Sequence, residues 1–176
     1  GLVEPYRRYR ITPDGISPRA IPGHPRGVYS ATSDEHDEYG HIEEDASNRT
    51  RMHARRMRKL ETARQEMRLP SLYGPADAPL TLVGWGSAYG PMREAVDRLL
   101  AQGRPANLLH FSDLWPIPIE GISPLLAGRQ RLVAVESNYS GQLADLIRRT
   151  TGWQIAERLL KYDGRPLSPE WILERL

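Results

Sequence analysis

The second half of this chain is predicted to be a three-layer α/β/α body with a mostly parallel sheet, preceded by an extended arm and one long helix. Three observations predict it. Short apolar runs, Leu80-Thr81-Leu82-Val83, Asn107 to Phe111 and Arg131 to Glu136, recur at regular spacing. Each is followed by a stretch with apolar residues at helical spacing, and Gly103 and Gly128 close two of those stretches. Strand–helix alternation of this kind buries a parallel sheet under helices on both faces, with right-handed crossovers.

The elements follow in order. Pro5, Pro13, Pro18, Pro22 and Pro25, with Gly15, Gly23 and Gly27 between them, forbid a long helix in the first 47 residues. So long an irregular stretch is expected to lie across a neighbouring domain or subunit. An acidic segment, Asp34 to Asp45, then gives way to an arginine-rich one from Arg49 to Arg68. Met52, Met57, Leu60, Ala63 and Met67 form a thin apolar stripe, predicting a helix from Asn48 to Met67 with Ser47 or Asn48 as its N-cap. Its polarity suits a surface helix whose arginines pair with the nearby acids. Those acids would also repel phosphates, which argues against a nucleic-acid partner. The boundary between arm and body is expected at residues 71 and 72.

In the body, Leu80–Val83 is the first strand and Pro91–Gln102 a helix burying Met92, Val96, Leu99 and Leu100. Asn107–Phe111 is the second strand, and Ile119–Leu126 a short helix. Arg131–Glu136 is the third strand, and Gly141–Thr150 a helix with Leu143, Leu146 and Ile147 inward. Ile155–Leu160 is read as a further strand and Pro169–Leu176 as a last helix.

Composition excludes several chemistries. The 176-residue chain has no cysteine, so it offers no disulfide, thiol nucleophile or thiolate ligand for an iron–sulfur cluster. A formal net charge of +2 is weak support for any polyanion partner. No apolar run approaches the roughly 20 residues of a membrane helix. The opening Gly1-Leu2-Val3-Glu4-Pro5 has neither a basic n-region nor an apolar h-region. Without an initiator Met, the chain is expected to be a piece of a longer polypeptide.

Candidate site residues cluster where strands end. Gly84-Trp85-Gly86-Ser87 joins a strand to a helix, so Gly84, Gly86 and Ser87 could let backbone N–H groups approach an anion. The dinucleotide fingerprint is not met: Gly90 falls one place late, and Asn107–His110 lacks the ribose-binding acid. A structural turn that touches an anion is the favoured reading, and a free-standing module for a phosphorylated ligand is the alternative function. Asn138, Ser140 and Gly141 in Glu136-Ser137-Asn138-Tyr139-Ser140-Gly141-Gln142 form the second candidate, weighed against a helix start capped by Ser137 or Ser140. Trp85 is read as a core or interface aromatic. His110, Ser112 and Asp113 lie too close in sequence for a hydrolytic triad, and no G-x-S-x-G elbow is present. Trp115-Pro116-Ile117-Pro118 is read as a rigid contact loop. His36-Asp37-Glu38-Tyr39-Gly40-His41 departs from H-E-x-x-H and is read as a polar loop rather than a metal site. No catalytic residue and no metal ligand is assigned.

Several of these segments together resemble a known family. Tyr9-Arg10-Ile11-Thr12-Pro13-Asp14-Gly15-Ile16-Ser17-Pro18-Arg19, Asp34-Glu35-His36-Asp37-Glu38-Tyr39-Gly40-His41 and Arg56-Met57-Arg58-Lys59-Leu60 are similar to the α subunit of 2-oxoacid:ferredoxin oxidoreductases, of the 2-oxoglutarate type. So are Val83-Gly84-Trp85-Gly86-Ser87, Leu108-Leu109-His110-Phe111, Glu136 to Leu143, and Lys161-Tyr162-Asp163-Gly164-Arg165-Pro166. The resemblance runs nearly the whole chain in order. It implies a C-terminal piece of that subunit, with residues 72–176 as a transketolase C-terminal-like domain. It further implies an oxidative decarboxylation on thiamine diphosphate, acyl transfer to coenzyme A, and electron flow through an iron–sulfur cluster to ferredoxin. Thiamine diphosphate, Mg²⁺ and the cluster would belong largely to a β subunit. This chain would scaffold and contact subunits in the cytoplasm, would be inactive alone, and would need the N-terminal part of its own subunit. Arg19, His36 and His41 could approach the active site, with loop packing as the other reading.

Overall fold

The computed structural model describes residues 5–176; the opening residues 1–4, read above for a leader, lie outside them. The chain divides into two compact units, Gly1–Glu66 and Met67–Leu176.

In the first unit, helix α1 spans Ala46–Arg64. Its N-cap is Asp45, not Ser47 or Asn48: the Asp45 carboxylate accepts the amide of Asn48 at 2.9 Å. An aspartate meets the positive helix start with a full charge, which a serine hydroxyl cannot do. Asn48 instead is buried and donates its side-chain amide to the His36 carbonyl at 3.1 Å. The helix ends at Arg64 rather than Met67, where Glu66 turns back to the Ala63 carbonyl.

The proline-studded segment is irregular, as predicted, but it is fastened to its own helix. Thr62 donates to the Asp14 carbonyl at 2.8 Å and Arg58 to that of Thr12 at 3.1 Å. Gly15, at φ +77°, lies so close that a Cβ there would stand 2.5 Å from the Lys59 amide nitrogen. Only glycine combines that backbone conformation with that approach. Buried Met52 and Arg55 complete a small interior. The helix is therefore less purely a surface element than its composition suggests.

The second unit is a five-stranded sheet in the order β1-β3-β2-β4-β5. Its strands are β1 (Ser71–Tyr73), β2 (Leu80–Trp85), β3 (Ala106–Phe111), β4 (Arg131–Glu136) and β5 (Glu157–Leu160). All neighbours pair in parallel except β1, which runs antiparallel on the edge against β3. Side chains alternate across the strands, as the pleat requires. Leu82, Leu108, Val133 and Val135 face one layer, with Met92, Val96 and Leu99 of α2 (Tyr89–Ala101) and Ile172 of α5 (Pro169–Leu173). Val83, Leu109 and Ala134 face the other, with Ile122 and Leu126 of α3 (Ile119–Leu126) and Leu143 and Ile147 of α4 (Gln142–Thr151). The predicted three-layer fold is thus realised. Pro124 lies within α3 without ending it. The last strand starts at Glu157 rather than Ile155, and Ser168 caps α5 by accepting the Trp171 amide. A single 3₁₀ turn, Gly86–Ala88, links β2 to α2, so the helical path begins before the predicted Pro91.

In the first unit, Glu35 receives Arg56 through two hydrogen bonds, at 2.7 and 3.1 Å, and Arg49 at 2.7 Å. Arg56 first, then Arg49, holds its carboxyl down to about 2 against burial that pushes the other way. A depressed folded-state value means that Glu35 stabilises the fold above its ordinary value of 4.5 and loses that contribution as pH falls toward 2. Glu35→Gln should therefore destabilise at neutral pH, with the difference from wild type shrinking between pH 4.5 and 2 in urea titrations followed by circular dichroism. A difference that stayed constant over that window would exclude the pairing.

Candidate functional site

The sheet order sets where a site can form. From β2 the chain goes by α2 to β3 on one side, then by α3 to β4 on the other. The carboxyl ends of β2 and β4 thus flank a topological switch point, where ligands of open α/β sheets usually bind. A cleft of roughly 210 Å³ lies there, lined by Trp85, Gly86, Ser87, Ala88, Glu136 and Ser137.

Glu136 organises this end of the sheet. It is 1% exposed, and four donors of the protein converge on its carboxylate. Trp85 donates its indole N–H at 3.2 Å and Asn138 its amide at 2.8 Å. The backbone amides of Leu143 and Ala144, in the first turn of α4, donate at 2.9 and 3.1 Å. A buried carboxylate needs such partners, and the positive start of a helix provides an electrostatic match. Asn138 adds a second tie, accepting the amides of Gly141 at 2.8 Å and Gln142 at 3.1 Å. The helix start is therefore not capped by Ser137 or Ser140. Its N-cap position is Gly141 in the left-handed region, with no side-chain bond of its own.

The structure thus brings some of the candidate residues together and leaves others apart. Gly86 and Ser87 line the cleft, and Asn138 holds Glu136 beside it. Gly84 instead serves packing: a Cβ there would stand 2.5 Å from Met92 Sδ and 3.0 Å from the Val135 carbonyl. Ser140 gives its carbonyl to Arg158 at 2.9 Å, and Gly141 lies against the same guanidinium. Trp85, half-buried and hydrogen-bonded, is an anchor between β2 and β4. Glu136 itself was not singled out by sequence reasoning. Its signal was an acid ending a buried strand seven residues before Leu143, with Asn138 between them.

The remaining candidates have other employment. Asp113 is engaged by Arg68 through its backbone amide at 2.9 Å and its guanidinium at 2.9 and 3.2 Å. The Arg68 guanidinium in turn holds the Asp113 carboxyl below its ordinary value. His110 Nε2 bonds the Gly86 carbonyl at 3.0 Å, so His110 and Asp113 form no dyad. Trp115-Pro116 is a cis peptide, and Trp115 stands 53% exposed. In the first unit, His36 stacks on Tyr9 with ring centres 3.9 Å apart, and His41 pairs with Asp37 at 3.5 Å. Among the described residues no group of three or more His, Asp or Glu is arranged to hold a metal. With no cysteine in the chain, these residues do not fit a metal ion or an iron–sulfur cluster as their own.

Comparison with known proteins decides the family. The sequence model described as pyruvate:ferredoxin oxidoreductase core domain II matches residues 78–172. The chain belongs to the pyruvate:ferredoxin oxidoreductase core domain II family. The domain II match begins just before β2 and takes in both strands of the cleft. The α subunit of 2-oxoacid:ferredoxin oxidoreductase 1 of Sulfurisphaera tokodaii is 37% identical over 97% of this chain and 27% of its own length. The corresponding subunit of Aeropyrum pernix is 42% identical over 81% of this chain and 23% of its own. The chain thus spans about a quarter of the length of these relatives. Among solved structures, the 2-oxoglutarate:ferredoxin oxidoreductase from Magnetococcus marinus, with 2-oxoglutarate, coenzyme A and succinyl-CoA bound, is similar at a TM-score of 0.74 and 32% identity. That match covers 97% of this chain and 30% of the other. The α-subunit resemblance read from the ordered motifs agrees with these relatives.

Glu136→Gln leaves the size of the side chain but turns an N–H group toward donors. It should lower the stability of this domain by about 2–4 kcal/mol, the range for breaking a buried charge-assisted network. Urea unfolding measures the loss, and Trp85 emission should shift to the red. An unchanged midpoint and unchanged emission would show that the four bonds carry no weight.

Proposed function

We propose that this chain is part of the α subunit of a thiamine-diphosphate-dependent 2-oxoacid:ferredoxin oxidoreductase of the 2-oxoglutarate type. The observation that supports this reading is the match over 97% of the chain to a 2-oxoglutarate:ferredoxin oxidoreductase. In the complete enzyme a 2-oxoacid would be oxidatively decarboxylated, its acyl group passed to coenzyme A and its electrons to ferredoxin. Thiamine diphosphate, Mg²⁺ and the iron–sulfur cluster would be held by other parts of the assembly, chiefly a β subunit. No catalytic role in that chemistry is assigned to the residues described above.

The role assigned to this domain is structural: it braces the complex and contacts subunits in the cytoplasm. Two features support that role. Glu136 turns the switch-point cleft into a rigid junction, and an aromatic pair stands outside the core beyond it. Tyr139 and Tyr162 are 75% and 63% exposed, and their rings meet edge to face with centres 5.0 Å apart. Exposed tyrosine pairs of this kind suit the centre of a protein interface. A free-standing module for a phosphorylated ligand at the Gly84–Ser87 turn finds less support. Glu136 lines the same cleft, and its carboxylate takes amides in the first turn of α4.

The test is reconstitution of the full-length α subunit with a β subunit. The wild-type complex should reduce ferredoxin with 2-oxoglutarate and coenzyme A, and should do so faster than with pyruvate. Replacing both Tyr139 and Tyr162 by Asp should weaken subunit association by roughly 30-fold or more, the scale of hot-spot loss. A complex that turns over no 2-oxoacid would refute the activity. Association untouched by the double substitution would refute the interface.

A further inference from the structure

The first unit holds a cleft of roughly 550 Å³, formed by the loop from Arg19 to Tyr29 together with Arg8. Its size is that of a small-molecule site. The loop is built of two successive turns, in which His24 donates its amide to the Ile21 carbonyl at 3.1 Å and Gly27 to the His24 carbonyl at 2.9 Å. Gly27 closes against Ala20, where a Cβ would come within 2.6 Å of the alanine methyl. The Tyr6 hydroxyl pins the entry, accepting the Ala20 amide at 2.8 Å and donating to the Pro18 carbonyl at 2.9 Å. This loop is held in shape by its own bonds, which lowers the ordering cost of binding.

The charge in the cleft is one-sided. Arg8, Arg19 and His24 line it, and among the described residues no carboxylate does. Arg8 is held by aromatic faces, 5.4 Å from the centre of the Tyr9 ring and 5.8 Å from that of Tyr29. Among the described residues neither Arg8 nor Arg19 makes a hydrogen bond or an ion pair. Their guanidinium donors have no acceptor among the described residues: Glu35 is taken by Arg49 and Arg56, and Glu38 by Arg7 and the Ile11 amide. The neighbouring Arg55 feels the same excess: burial first, then the charges of Arg56 and Arg8, lower its pKa. His24 Nδ1 accepts the Arg26 amide at 3.2 Å, which leaves the proton of the neutral ring on Nε2. Beside these donors Ile21 and Val28 are 81% and 86% exposed, an apolar wall with nothing over it in the described unit.

We propose that this cleft binds a small organic dianion, its charged oxygens taken by Arg8 and Arg19 and its carbon body laid against Ile21 and Val28. Guanidinium forks suit carboxylate and phosphate oxygens alike. The chemistry is thus shared by a dicarboxylate and a diphosphate ester. The inference goes beyond the proposed enzyme function and does not rest on it, since it is drawn from this unit alone.

The test is calorimetry on the whole 176-residue chain near physiological salt, with 2-oxoglutarate, ADP and inorganic pyrophosphate as separate probes. At least one should bind saturably with unit stoichiometry. Preference for 2-oxoglutarate identifies a dicarboxylate site, preference for ADP a diphosphate ester site. Arg8→Gln with Arg19→Gln should weaken that binding by about tenfold or more, as loss of charge-assisted bonds requires. Arg26→Gln removes one nearby charge outside the cleft lining and should change it less than about twofold, the residue of screened long-range attraction. Arg19→Gln alone, at an exposed position, guards against a folding defect in the double variant and should weaken binding on its own. The proposal is overturned if none of the three probes binds saturably, if pyrophosphate alone binds, or if Arg26→Gln weakens binding as much as the double substitution.

Discussion

A carboxylate withdrawn from water at the end of a strand must find donors, and the neighbouring helix start has amides that must find an acceptor. Glu136 meets both requirements at once. It ties the last residue of β4 to the indole of β2 and to the first turn of α4. The switch point of the sheet, usually the open end of such a fold, is thereby stiffened from inside. The bland and the functional readings of Glu136 to Gln142 are separated by this one group. Donors that could have met a ligand's anion already meet the protein's own.

The same economy of partners shapes the first unit by a different route. It has little apolar interior, so its helix is fixed by caps, a glycine contact and ion pairs rather than by a deep core. Asp45, Gly15 and Glu35 each serve a donor group or a close approach of α1. Where acids are spent in this way, the loop that lacks them stands out. Arg8 and Arg19 carry charge that no carboxylate among the described residues of the unit answers, and that contrast is what gives the Arg19–Tyr29 loop its chemical character.

Much of the layered domain was legible in the sequence because its strands are buried on both faces. Leu80–Val83, Asn107–Phe111 and Arg131–Glu136 are short, mostly apolar runs with few polar residues, and α2 and α4 show helical spacing. Strand β1 was not legible: three residues, two of them exposed, carry no period, and only pairing with β3 makes them a strand. The cap of α4 was missed because local rules look to the residues just before a helix, and the true acceptor, Glu136, sits six residues before its first residue. The packing of the arm on α1 was missed for the same kind of reason. Contacts such as Gly15 against Lys59 join irregular backbone across distant positions, and no periodicity announces them. Family membership was legible because ordered short motifs add up where each alone is weak.

In the proposed role this domain would support a larger assembly through a rigid junction, with the exposed Tyr139–Tyr162 pair at its surface. Amide hydrogen exchange by NMR on Leu143 and Ala144 examines that junction most directly. The account requires both amides to exchange slowly, at rates near those of the central β2 and β4 amides, and to be unmoved by added phosphate. Fast exchange, as at an open helix start, or phosphate-induced shifts at these two positions would show that Glu136 does not hold them.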